Sequence, residues 1–302
     1  GGGSVDGVIL GDGAAWDAST NRWRALPASP LGPRDGAVVV WAGDRLVVWG
    51  GATAPPDDAP DTDSSGDTPE PPGQTEMKND GAAYVPATNS WVPVAAAPIP
   101  ARSGADSAWT GTRLIVSGGY HEGDDDDRTD GAAFDPVSGG WSPIAARPAP
   151  GSCGGGSACA GIWTGKVALF PVSGVAYDPA ADRWSAMAAP PNPDGPAPGE
   201  PAVWTGRRIL TWGISGADAD DASGDDGAAA AGGEQGPPPT HGAMYDPAAD
   251  RWQPFVAGPL SSRVSHSAVW TGQEMLLWGG TSGETPLADG AAYRPPSDPS
   301  GT

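Results

Sequence analysis

Lysine, cysteine, histidine and long apolar runs are all scarce in this 302-residue chain, and each scarcity removes a class of function. Lys78 and Lys166 are the only lysines. With 16 basic against 37 acidic residues the formal net charge is −21. A polyanion of that size repels phosphate backbones and anionic lipid, so nucleic-acid binding is not expected. No apolar run approaches the length of a membrane span, so no membrane insertion is expected, and the opening GGGSVDGVIL lacks the basic start of a secretory signal. The two cysteines, Cys153 and Cys159, stand in SCGGGSAC, a spacing that fits no zinc or thioredoxin pattern. Three of the five residues between them are glycine, so the thiols could close a small disulfide ring. Such a bond would imply an oxidising compartment. HExxH, GxSxG, P-loop and dinucleotide fingerprints are all missing.

What the chain does contain is glycine (47), proline (35) and tryptophan (14). Gly and Pro at that level without a period would suggest disorder. Here there is a period. G-A-A-aromatic or a close variant occurs at 13–16, 81–84, 131–134, 174–177, 242–245 and 290–293. A second element carries Trp23, Trp91, Trp141, Trp184 and Trp252, after an Asp-Pro turn in most units. A third ends in Trp41, Trp109, Trp163, Trp204 and Trp270, followed by A-G or T-G. A fourth reads LVVWGG (46–51), LIVSGG (114–119), VALFPVSG (167–174), ILTWGISG (209–216) and MLLWGG (275–280). Short runs of β-formers between Gly, Pro and Asp turns, four to a unit, predict four-stranded antiparallel sheets. We label the strands a (ending in the V-W type motif), b (ending in GG), c (G-A-A-aromatic) and d (the second Trp). Repeated radially, such sheets are the blades of a β-propeller. Aromatic residues that recur at one place per blade are expected in the core.

A Gly doublet closing the second strand, then an aromatic, then a Trp, in this order across nearly the whole chain, resembles the kelch-repeat family. The resemblance implies an all-β, kelch-type β-propeller over residues 1–302, a single domain and a monomer. GGGSVDGVILGDGAAW at the start parallels GGTSGETPLADGAAY near the end. The strand count is five a, five b, six c and five d, read as six blades with incomplete first and last blades, or as a fragment of a larger propeller; pairing the C-terminal a–b with the N-terminal c–d would close a five-blade ring, a reading ranked lower because it leaves one strand c redundant.

Alternation puts the b–c and d–a loops at one end of each blade and the short a–b and c–d turns at the other. The long insertions, 52–80, 120–130 and 217–241, are all b–c loops. With 281–289 they hold 22 of the 37 acids. This end is where function is expected, although the loops are low-complexity and by composition disordered. DTDSSGD (61–67) places Asp61, Asp63 and Ser65 at alternate positions before Gly66, as calcium loops do, which makes Asp61, Asp63 and Asp67 the candidate metal residues. The acid expected further along is replaced by Pro72. Calcium is the one cofactor this sequence suggests.

Against the acids stand Arg34, Arg102 and Arg263, each seven residues before a strand-a Trp, at the d–a junction. Arg at such a mouth can fork onto a ligand carboxylate, or cap loop carbonyls and balance nearby Asp. Tyr120, His121 and His266 lie beside this mouth and complete the candidate ligand-binding set. The resemblance implies two functional classes. One is a noncatalytic binding or scaffold propeller of exported bacterial type, extracellular or periplasmic with a cytoplasmic location as the alternative, taking a protein or glycan at the acidic loop face. The other is a carbohydrate-active enzyme similar to kelch-type oxidases or sugar mutarotases. For the oxidase the copper ligands have no match here. For the mutarotase Arg34, Arg102, Arg263 and His266 are the candidates.

Overall fold

Four of the repeats fold as complete sheets of order a-b-c-d in the computed structural model. It describes residues 4–5, 8–53, 76–121, 128–148, 159–190, 201–212, 242–254, 258–261, 263–282 and 285–296. The chain separates into two compact units, Gly1–Ser185 and Ala186–Thr302. The first unit opens with a two-stranded hairpin, β1 (Ser4–Val5) and β2 (Val8–Ile9), and a c–d pair, β3 (Ala14–Asp17) and β4 (Arg22–Ala25). Blade I follows with β5 (Val38–Ala42) and β6 (Arg45–Trp49). A hairpin of β7 (Ala52–Thr53) and β8 (Glu76–Met77) leads to β9 (Gly81–Val85) and β10 (Ser90–Val94). Blade II is β11 (Asp106–Trp109), β12 (Leu114–Ser117), β13 (Gly131–Asp135) and β14 (Gly140–Ile144). Blade III is β15 (Ile162–Trp163), β16 (Ala168–Phe170), β17 (Val175–Asp178) and β18 (Arg183–Ala186).

The second unit holds blade IV, with β19 (Ala202–Trp204), β20 (Ile209–Trp212), β21 (Gly242–Asp246) and β22 (Arg251–Pro254). Blade V has only three strands: β23 (Ser267–Trp270), β24 (Met275–Trp278) and, after the hairpin β25 (Thr281–Ser282) and β26 (Thr285–Pro286), β27 (Gly290–Tyr293). The arrangement is therefore all-β, with four-stranded antiparallel blades in a propeller arrangement. The expected blade number is corrected from six to five. A blade needs its a–b hairpin, and residues 4–17 supply a short β1–β2 ribbon and strand c instead, so β3–β4 remains a two-stranded pair.

Period-two packing explains why strand b is apolar throughout. In blade II, Leu114 and Val116 point into a cluster with Val38, Val47, Trp49 and Ile99 of blade I. Ile115, between them, points the other way, into Phe170, Tyr177 and Trp184 of blade III. Both faces are covered, so all four residues are buried. In blade V the same strand alternates: Met275 and Leu277 pack with Leu210 and Trp212 of blade IV, while Leu276 and Trp278 are exposed. The end positions thus amend the expectation for recurrent aromatics. Trp16, Trp23, Trp41 and Trp278 are 52–72% exposed because, among the described residues of each unit, no blade covers their face. The Ala pair of strand c lets neighbouring blades approach, and Ala82, Ala83, Ala132 and Ala133 are almost fully buried.

Within each unit the d-strand Trp ties its blade to the segment that follows strand d of the preceding repeat. Trp91 Nε1 donates to the Pro27 carbonyl, Trp141 to Ala95, Trp184 to Ala145 and Trp252 to Ala188, at 2.8–2.9 Å. Each acceptor lies four residues after the Trp of the preceding repeat. A second stitch sits in the c–d turn. Tyr177 donates to Asp182 and Tyr245 to Asp250, both at 2.7 Å, and those carboxylates accept the Ala145 and Ala188 amides at 2.8 Å. The turn residue has positive φ in every case: Asn21, Asn89, Asp182 and Asp250, with Gly139 in blade II. Only blade II pairs Phe with Gly at these positions, so the latch is missing there.

Candidate functional site

The three arginines of the d–a junction occupy the same place in three blades, and all are buried. Arg102 Nε donates to the Pro100 carbonyl (3.0 Å) and Nη1 to the Gly118 carbonyl (2.9 Å). Its Nη2 meets Asp130 Oδ2 at 2.8 Å. Arg34 repeats this on Gly32, Gly50 and Asp80, and Arg263 on Ser261, Gly279 and Asp289. Each guanidinium therefore holds its own loop, the first Gly of the doublet that ends strand b, and the Asp that begins strand c. These are the two feet of the b–c loop. The adjacent Arg263 holds the Asp289 carboxyl below the usual carboxylate range.

The glycines of the clamp are sterically required. The second doublet Gly has φ of +87, +85 and +89° at Gly51, Gly119 and Gly280. A Cβ there would stand 2.6 Å from the carbonyl of Asp35, Ser103 or Val264. The Gly after the strand-c Asp is equally confined: a Cβ on Gly81, Gly131 or Gly290 would meet a strand-b carbonyl at 2.4–2.7 Å. Above the clamp the loop leaves as a ribbon, Lys78, Arg128 and Leu287 each donating a backbone amide to that second Gly's carbonyl at 2.8 Å.

Of the candidate set, Arg34, Arg102 and Arg263 are each brought onto an Asp of their own blade. His266 is buried and stands where Ala37 and Ala105 stand in blades I and II, its Cβ against Gly280. Ser265 before it takes the left-handed φ of +56° that Gly36 and Gly104 supply elsewhere. Tyr120 and His121 are half-buried at the start of the 120–130 loop, and the Tyr120 backbone exchanges two 3.0 Å hydrogen bonds with Ser103. Cys159 is disulfide-bonded, and its carbonyl accepts the Ser107 amide of blade II. Cys153 and the calcium candidates Asp61, Asp63 and Asp67 lie outside the described residues. Among the described residues no cluster of three metal-ligating side chains occurs.

One constellation escaped the sequence reading. Asp106 opens strand a of blade II and Arg147 follows strand d of the same blade. Both side chains are 1% exposed, and Arg147 Nη1 meets Asp106 Oδ2 at 2.8 Å. Ser173 of blade III also donates to that oxygen, and the guanidinium lies 5.8 Å from the Trp184 ring. The signal was available. Asp106 replaces Val38 of blade I, and Arg147 replaces Ala97, so two opposite charges depart from the repeat in one blade.

No family model matches the chain, and no curated protein matches it. Among solved structures it is similar to that of YjhT, a β-propeller, with 21% identity over 89% of this chain and 84% of that one and a TM-score of 0.55. That likeness supports the propeller fold.

Proposed function

We propose that this chain is a noncatalytic recognition propeller of kelch-repeat type, working outside the cytoplasm, that presents acidic b–c loops to a basic protein surface. The observation that carries the reading is the clamp. One Arg–carbonyl–Asp arrangement anchors b–c loops spanning 51–80, 119–130 and 280–289, so loop length varies without change at the feet. The carbohydrate-active reading asks the same arginines and His266 to meet a substrate, yet they are buried and the guanidiniums are bonded within their blades. A binding role needs only the loops. The clustered acids of those loops attract a cationic partner over a range set by salt.

The test is capture of a lysine-rich model peptide by the intact chain and by a variant lacking 54–75 and 217–241. The variant is expected to melt as the parent does and to lose binding, and parental binding is expected to weaken steeply with salt. Equal capture by both proteins would refute the reading. A rise in melting temperature with calcium would add metal-ordered loops to it.

A further inference from the structure

At the end of the first unit opposite the long loops, blades II and III leave a cleft of about 510 Å³ between them. Its walls are Ile144, Pro143, Trp163, Tyr177 and Pro179, and the polar residues Thr110, Ser142, Arg113 and Asp182 complete the lining, the Asp182 carboxylate being engaged by the Tyr177 hydroxyl and the Ala145 amide. That volume falls in the usual range for small-molecule sites, and the lining combines apolar and aromatic walls with a comparable share of polar surface. Trp163 rests against the blade III core and turns the rest of its ring to the cleft.

Arg113 is what distinguishes this cleft from its repeats. The position, four residues after the strand-a Trp, holds Arg45 in blade I and Arg208 in blade IV. Arg45 is paired with Asp44 at 2.8 Å and donates to the Pro136 carbonyl. Arg208 is paired with Asp246 and contacts the Met244 sulfur. In blade II the residue matching Asp44 is Thr112, and Asp135, which matches Asp246, accepts the Val137 and Ser138 amides instead. The exposed Arg113 guanidinium consequently makes no hydrogen bond or ion pair with the described residues. Its charge reaches Tyr177 inside the cleft, partly opposing the burial that raises the phenol pKa.

We propose that this cleft binds a small amphiphilic carboxylate, with the ligand's carboxylate on Arg113 and its apolar ring between Trp163, Tyr177 and Ile144. The Arg113 guanidinium, whose charge also helps to lower the Asp135 pKa after the Val137 and Ser138 amides, keeps its donors unbonded among the described residues, and a planar guanidinium offers two parallel donors to a carboxylate. The aromatic and proline walls take a ring edge-on or offset. The site is independent of the loop face, and its failure leaves that reading intact.

The test is titration with 3-phenylpropionate, followed by ligand-observed NMR and calorimetry. The comparison ligands are 3-phenylpropanol, which keeps the ring without the charge, and acetate, which keeps the charge without the ring. Millimolar binding of the phenylpropionate is expected, with each comparison ligand and the Arg113→Gln variant about tenfold weaker or more, the scale of one charge-assisted contact pair. Arg113 is exposed, so the variant should fold, and Arg45→Gln should bind as the parent does. Undiminished binding by Arg113→Gln, no binding at tens of millimolar, or acetate binding as well as phenylpropionate would each overturn the assignment.

Discussion

Replacing Arg147 by Met should destabilise the first unit far more than replacing Arg147 and Asp106 together. Both side chains are 1% exposed, and the 2.8 Å bond compensates two desolvated charges at once. Removing the cation alone leaves a buried carboxylate with the Ser173 hydroxyl among its remaining contacts, a situation that costs about 3–5 kcal/mol. That is a large part of a typical domain stability of about 5–15 kcal/mol. The double variant Asp106→Val, Arg147→Met installs the residue blade I uses at Val38 and keeps the stem that packs near Trp184. It should lie within about 1–2 kcal/mol of the parent, because well-packed apolar replacements of buried pairs are often neutral. With about 3–5 kcal/mol lost in either single variant, the coupling energy is about 4 kcal/mol or more and is read from urea midpoints of the four proteins at constant slope. If the double variant shows the sum of the two single losses, the pair is not coupled and the reasoning is wrong.

The missing latch of blade II can be built. Phe134→Tyr with Gly139→Asp should add the bond seen at Tyr177–Asp182 and raise stability by about 1 kcal/mol, read as a higher melting temperature; a drop would show that the left-handed turn at +70° rejects the side chain. Gly119→Ala, whose Cβ would stand 2.6 Å from the Ser103 carbonyl, should cost more than about 2 kcal/mol, and a silent substitution in urea unfolding would remove the steric account of the doublet. The Asp182 latch also predicts an acid limb. Asp182 has its pKa lowered by the Ala145 amide and then by Tyr177, so its contribution is complete above the ordinary value of 3.8 and is lost as pH falls through the depressed folded value. Asp182→Asn should flatten stability against pH in that acid range, and an unchanged acid limb would contradict the assignment.

Strand identity and order were legible in the sequence because each strand repeats one pattern five or six times, and five or six coincidences outweigh any local ambiguity. Blade number was not, because it depends on which strand c pairs with which strand b, and the segments at 13–16 and 290–293 are near copies. Pairing of β24 with β27 decides it. The clamp was half legible. Arg34, Arg102 and Arg263 stood out by position, but their partners lie 16 and 26–46 residues away, across loops of different length. A comparison between blades would have found them, since the blades with Arg are those with both the Gly doublet and Asp-Gly at strand c. Blades III and IV, with Gly156 and Ala197 at the Arg position, also lack the Asp.

That covariation bears on how the loop end can vary. A b–c insertion lengthens the closure between strands b and c, an entropic cost that grows only with the logarithm of length. The greater danger is loss of register, since a one-residue slip in strand c would turn Ala83 and Ala133 out of their clusters. The buried guanidinium fixes register independently of the loop, because it bonds Gly118 at the end of strand b and Asp130 at the start of strand c together. Loops above such a clamp can change in length and charge while the blade keeps its pairing. The long insertion at 52–80 and the short one at 281–289 stand on the same bonds for this reason. Acidic, low-complexity loop sequences of very different length can therefore be carried on one repeated clamp without redesign of the frame.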